Sequence, residues 1–114
     1  MLNKRNRISN RRLIQKLFDK GGLYKNTYFT FKFLPSTEPI SQFAVVVSKK
    51  VAPKAVDRNE LRRKIYEAIR LNMDSLKTDL VVLVIAKSAA EKKANYQELG
   101  KGIIDFFNRH ELHE

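Results

Sequence analysis

Phe43-Ala44-Val45-Val46-Val47-Ser48-Lys49-Lys50-Val51, continuing Ala52-Pro53-Lys54-Ala55-Val56-Asp57-Arg58-Asn59-Glu60-Leu61-Arg62-Arg63-Lys64-Ile65, is the stretch on which the reading of this chain turns. Its first part is an apolar, β-branched run that predicts a strand over 43–48. Lys49-Lys50 and a loop through Pro53 follow. Asp57 with Glu60 three residues later is a helix-start signature, and both carboxylates read as capping groups rather than metal ligands. Leu61, Ile65, Ala68, Ile69 and Met73 then form a buried stripe at helical period. With that stripe inward, Arg58 and Arg62 lie one turn apart, as do Asn59 and Arg63, and Tyr66 and Arg70 extend the second row outward. Guanidinium forks suit phosphate oxygens, and Asn suits a phosphate, a 2′-hydroxyl or a base edge. An ordinary solvated helix with internal ion pairs is the plainer alternative, but few acids lie on this face to pair with.

Toward the N-terminus, Leu13, Ile14, Leu17 and Phe18 predict a helix over 10–20. Ser9 is its expected N-cap, Ile8 a staple onto Leu13, and Gly21 a left-handed end. Arg11, Arg12, Lys16 and Lys20 crowd the rest of its surface. A strand over 28–34 ends at Pro35, with Phe29, Phe31 and Phe33 on one face and Tyr28, Thr30 and Lys32 on the other. The short link 35–41 makes strand 43–48 antiparallel to it. Toward the C-terminus, Leu80–Ala86 is a continuous apolar run that suits a central strand buried on both faces. Asn95 and Glu98 open a last helix that turns Tyr96, Leu99, Ile103, Phe106 and Phe107 inward. The order is α-β-β-α-β-α, one α+β domain over residues 1–114.

Composition narrows the partner. The 114 residues carry 23 Lys plus Arg against 12 Asp plus Glu, a formal charge of +11. Residues 1–70 hold 17 basic and 5 acidic side chains, so the excess lies wholly in that part. Such one-sidedness points to a polyanion, most commonly nucleic acid. Cysteine is absent, which excludes disulfides, thiolate nucleophiles and zinc–cysteine sites. No apolar run approaches the roughly 20 residues of a membrane span. The basic start, Met1 to Arg12, lacks the apolar core and cleavage site of a secretory signal. The expectations are a cytoplasmic location, no membrane partner and a monomer in the absence of RNA. His110 and His113 lie in an acidic tail with no spacing for a metal site, so neither a catalytic nor a metal-binding residue is expected in the protein.

The quoted stretch resembles the signature of the bacterial ribonuclease P protein component: a strand ending in Ser-Lys-Lys, a loop with Ala-Val, then Arg-Asn-Arg and further cations along a helix. Here it reads Val47-Ser48-Lys49-Lys50-Val51, Lys54-Ala55-Val56, Arg58-Asn59 and Arg62-Arg63. Lys4-Arg5-Asn6-Arg7, Gln15-Lys16-Leu17-Phe18 with Gly21, and Asp79-Leu80-Val81-Val82 extend the likeness over nearly the whole chain. Three positions depart from it. Glu60 replaces the second Arg of the triplet, Tyr66 stands where many members carry Arg, and Ile14 occupies a position that is often aromatic.

The resemblance implies an α/β sandwich like domain 2 of ribosomal protein S5, with a left-handed β-α-β crossover. It implies an accessory subunit of a ribonucleoprotein endoribonuclease, whose catalytic RNA removes the 5′ leader from precursor tRNA using Mg²⁺ held mainly by the RNA. Ribonuclease P RNA and precursor tRNA are then the partners. Lys49, Lys50, Lys54, Arg58, Asn59, Arg62, Arg63, Tyr66 and Arg70 are the candidates for the RNA contact, and Tyr66 could stack on a base. Arg11, Phe18, Tyr28, Thr30 and Lys32 are the candidates for the leader, Phe18 being equally suited to core packing. The competing readings are a ribosomal or RNA-assembly protein of the same fold with no role in cleavage, and a stand-alone nuclease, for which no catalytic constellation appears.

Overall fold

Alternation along the strands fixes the layers. A computed structural model describes residues 2–76, 78–92 and 95–112. Helix α1 (Arg11–Lys20) leads into strands β1 (Gly22–Lys25), β2 (Phe29–Pro35) and β3 (Gln42–Val46), then helix α2 (Ala55–Asn72), strand β4 (Leu80–Ala86) and helices α3 (Ser88–Lys92) and α4 (Tyr96–Leu112). The strands form one sheet in the order β1-β2-β4-β3, with β4 antiparallel to β2 and parallel to β3. The expected antiparallel sense of β2 and β3 is therefore observed. The two run in opposite directions, but β4 lies between them, because its apolar residues need cover on both faces.

Register sorts the side chains. Phe33, Val82 and Phe43 share one rung, and Lys32, Leu83 and Ala44 share the next, whose side chains point the other way. The first set, with Phe29, Phe31 and Val84, packs against α2 and α4 in the main core. Phe31 stacks on Phe106 of α4, with centroids 4.2 Å apart and planes 7° apart. Such a pair adds about 0.5–1.5 kcal/mol beyond area burial. The second set packs against α1 through a smaller cluster of Ile8, Leu17, Ala44, Val81 and Leu83, with Leu13 and Ile14 beside it.

Strand β1 and helix α3 are absent from the sequence expectation. Four and five residues are too short to show a period. The Asn26 turn was the available signal for β1: its Oδ1 accepts from Tyr28 N at 3.1 Å and Phe29 N at 3.0 Å, which closes the β1–β2 hairpin.

Three terminus expectations are also corrected. Asn10, not Ser9, caps α1, its Oδ1 accepting from Arg12 N at 2.9 Å. Gly21 is extended, at φ −67° and ψ 151°. A Cβ there would lie 2.5 Å from Leu17 O, so close approach rather than left-handed geometry requires glycine. Helix α2 begins at Ala55 without a side-chain cap. Asp57 sits inside its first turn, and Glu60 pairs with Lys64 at 3.5 Å instead of reaching back. The last helix starts as expected: Asn95 Oδ1 accepts from Glu98 N at 2.9 Å. Gly102 admits Phe29, whose Cε2 would lie 2.9 Å from a Cβ. His113 lies outside the described residues.

The open edge of β3 is covered. Ile8 N donates to Phe43 O at 2.8 Å, and Asn6 Nδ2 to Ser41 O at 2.9 Å. The segment before α1 thus occupies an edge that would otherwise be free to pair with another chain.

Candidate nucleic-acid interface

The loop before α2 is built to hold two lysines outward. Ser48 O accepts from both Val51 N and Ala52 N at 3.1 Å, which folds Ser48–Ala52 into a tight turn. Lys49 and Lys50 occupy its exposed apex, and Lys54 is exposed at the N-cap of α2. The positive end of a helix dipole disfavours cations beside it. Three lysines at an uncapped helix start therefore do not serve the fold, and they raise the potential where N–H groups already attract anions.

The nine residues expected at this interface do not behave alike. Lys49, Lys50, Lys54 and Arg63 are exposed, and among the described residues none has an ion pair. Arg62 is half-buried and reaches Asn59 Oδ1 through its Nη2, which leaves its charge uncompensated. Arg58 turns back instead, donating from Nη1 to Ala52 O at 3.1 Å and Pro53 O at 2.8 Å. It clamps the lysine loop to the helix, so the expectation of a purely outward arginine is corrected. Arg70 forks onto Glu67, and its hydrogen bonds are the largest cause holding the Glu67 carboxyl down at about 2. Tyr66 faces the sheet, its hydroxyl accepting from Val45 N at 3.2 Å. Its ring packs against the core. The expected outward Tyr66 is thus an edge cap for β3, because the strand's free N–H needs an acceptor.

The leader candidates divide as well. Phe18 is 45% exposed on α1, and Arg11 is exposed. Thr30 and Lys32 lie half-buried on the α1 side of β2, two rungs from each other. Their partners on β1 are Lys25 and Leu23, and Leu23 is 57% exposed. These two residues were missed with their strand, and they extend the same mixed apolar and basic surface. Tyr28 does not join it. Its hydroxyl donates to Glu98 Oε2 at 3.0 Å on α4, and that bond raises its pKa. Tyr24 does the same with Asp105 Oδ2 at 2.6 Å, burial and the carboxylate together pushing its pKa up. The expected shared face of Tyr28, Thr30 and Lys32 is corrected because Tyr28 precedes β2 and escapes its alternation.

Sequence reasoning also passed over Arg7. Its Nε is buried without a hydrogen-bond partner beside the β3 edge. The Lys4-Arg5-Asn6-Arg7 run was the available signal.

No converging set of three His, Asp or Glu side chains occurs among the described residues, and none of their helices is long and apolar enough to cross a membrane.

Comparison with known proteins identifies the family. The family model for Ribonuclease P matches residues 2–111. The "Ribonuclease P protein component" of Pseudanabaena sp. (strain PCC 6903) is 38% identical over 101 residues, covering 88% of this chain and 86% of the relative. The protein of the same description from Desulfatibacillum aliphaticivorans is 37% identical over 86 residues, covering 75% and 72%. The fold matches the RNase P protein from Thermotoga maritima with a TM-score of 0.80 at 24% identity, covering 90% of this chain and 96% of that one. The Staphylococcus aureus RNase P protein superposes with a TM-score of 0.74 at 22% identity, covering 91% and 93%. With its match running from residue 2 to residue 111, the chain belongs to the ribonuclease P protein family.

Proposed function

We propose that the chain binds ribonuclease P RNA through the Lys49–Arg63 surface and assists that RNA in removing the 5′ leader of precursor tRNA. The observation that carries this reading is the row of uncompensated cations at the start of α2, set on a loop clamped by Arg58. Lys49, Lys50, Lys54, Arg62 and Arg63 contact phosphates, and Asn59, already oriented by Arg62, contributes its amide N–H groups. The leader lies across the other side of the sheet, over Phe18, Thr30, Lys32, Leu23 and Lys25, with Arg11 beside it. Exposed apolar side chains there take base faces and the lysines take the backbone.

The protein's chemical contribution is electrostatic. Cations between two polyanions lower their repulsion, which raises substrate affinity and reduces the Mg²⁺ that the RNA needs. When bound, Mg²⁺ supplies the activation of water and the stabilisation of phosphoryl charge, and the RNA holds it. The chain acts as a monomer until it meets RNA, in the cytoplasm.

Reconstitution tests the proposal. Protein alone, cognate ribonuclease P RNA alone, and the mixture are assayed on precursor tRNA at low Mg²⁺. Stimulation only in the mixture is expected. Cleavage by the protein alone would overturn the reading in favour of a nuclease. Binding without stimulation would overturn it in favour of an RNA-assembly protein.

A further inference from the structure

Helix α1 crosses the outer sheet face and divides it. Phe18 stands toward one side, with Thr30 and Lys32 on the sheet. On the other side is a groove of about 510 Å³ between Leu13 and Lys16 of α1, Leu34 and Val81 of the sheet, and the 36–38 loop. Asn10 and Gln42 line the same groove. None of Arg11, Phe18, Thr30 or Lys32 does, so it is separate from the leader surface. Its size lies in the range of roughly 300–1,000 Å³ in which small ligands are held.

The lining has a definite chemistry. Leu13, Leu34 and Val81 give an apolar floor. Asn10 uses its Oδ1 on Arg12 N, which leaves its amide N–H groups as donors. Gln42 donates from Nε2 to Arg5 O at 3.3 Å, which leaves its Oε1 as an acceptor. Donors and an acceptor around an apolar floor match the edge and face of a nucleobase. Lys16 stands at the rim between Arg12 and Lys20 at i±4 spacing, and among the described residues none of the three has an ion pair. Successive cations about 6 Å apart along a helix follow a phosphate backbone. Glu38 is the only acid lining the groove. Its carboxylate accepts from an exocyclic amino group, as carboxylates do from cytosine.

We infer that this groove binds an unpaired nucleotide of the partner RNA, its base on the Leu13–Leu34–Val81 floor and its phosphate at Lys16. The inference rests on the RNA-binding reading above and gives the protein a contact on the far side of α1 from the leader. The row Arg12–Lys16–Lys20 selects an anionic occupant over an apolar peptide.

The chain contains no cysteine, so one introduced thiol carries a photocrosslinker at a single place. Full-length Thr37→Cys reports on the groove. Val56→Cys, 74% exposed beside Lys54, reports on the α2 surface. Each is bound to ribonuclease P RNA, with and without precursor tRNA. The expected result is crosslinking from position 37 to one or a few unpaired nucleotides, with a severalfold lower yield when Lys16→Glu is added. Lys16 is exposed, so that variant keeps the fold. Crosslinking from position 56 alone would overturn the groove and leave the proposed function standing. Silence at both positions would overturn both. Crosslinks from position 37 spread along duplex RNA, or a yield unaffected by Lys16→Glu, would also overturn the groove.

Discussion

The two halves of α2 differ in how their cations are paired. In the half that follows the lysine loop, Lys54, Arg62 and Arg63 have no ion pair among the described residues. In the other half Lys64 pairs with Glu60 at 3.5 Å, and Arg70 forks onto Glu67. Paired charges already have a counterion, and RNA binding gains nothing from releasing it. Pairing therefore distinguishes the proposed RNA surface from the rest of the helix.

The largest expected effect tests the unpaired half directly. Lys49→Ala with Lys50→Ala should weaken binding to ribonuclease P RNA by at least about tenfold, since a hydrogen bond to a charged group contributes roughly 1.5–3 kcal/mol. The fold should survive, because both side chains are exposed. Filter binding and circular dichroism would show it, and unchanged affinity would remove the loop from the interface.

Arg58→Ala should act through structure instead. Losing the clamp on Ala52 O and Pro53 O should cost about 1–3 kcal/mol in urea denaturation and loosen the lysine loop. Weaker RNA binding at undiminished stability would make Arg58 a direct contact. A smaller effect is expected for Tyr66→Phe, which leaves Val45 N without its acceptor. Stability should fall by about 1 kcal/mol with RNA affinity unchanged, and the reverse pattern would restore Tyr66 to the interface.

The smallest effect belongs to the paired half. Glu67 has a folded pKa of about 2 against an ordinary 4.5. A depressed carboxyl contributes stability that is complete above the unfolded value and lost as pH falls toward the folded one. The Glu67–Arg70 pair should thus contribute above about pH 4.5 and fade toward pH 2. Glu67→Gln should flatten that part of the acid-stability curve. Arg70 is exposed and Glu67 half-buried, so solvent screens the pair and the change should be modest. An identical acid limb in the variant would show that the pair contributes nothing.

Much of this was legible in the residues. The apolar run 80–86 announced a strand buried on both sides, and the Leu61–Ile65–Ile69 stripe announced the inner face of α2. The unpaired lysines at 49, 50 and 54 followed from the Ser-Lys-Lys turn. Strand order was not legible: the short 35–41 link gives β2 and β3 opposite senses, but nothing local says that β4 inserts between them. Side-chain destinations were least legible. Helical spacing places Arg58, Tyr66 and Arg70 on α2, but only three-dimensional neighbours decide that they meet two loop carbonyls, the β3 edge and Glu67. Tyr28 failed for a related reason, since the period of two holds only inside the strand.

Salt titration of binding to ribonuclease P RNA tests the central claim most directly. Five to eight displaced counterions predict a slope of log affinity on log salt of about −3.5 to −7 for the native chain. Replacing Lys49, Lys50 or Arg63 with Ala should make it shallower by about 0.7–0.9 per cation, while Lys64→Ala and Arg70→Ala should leave it unchanged. Equal flattening by both sets of substitutions would contradict the account.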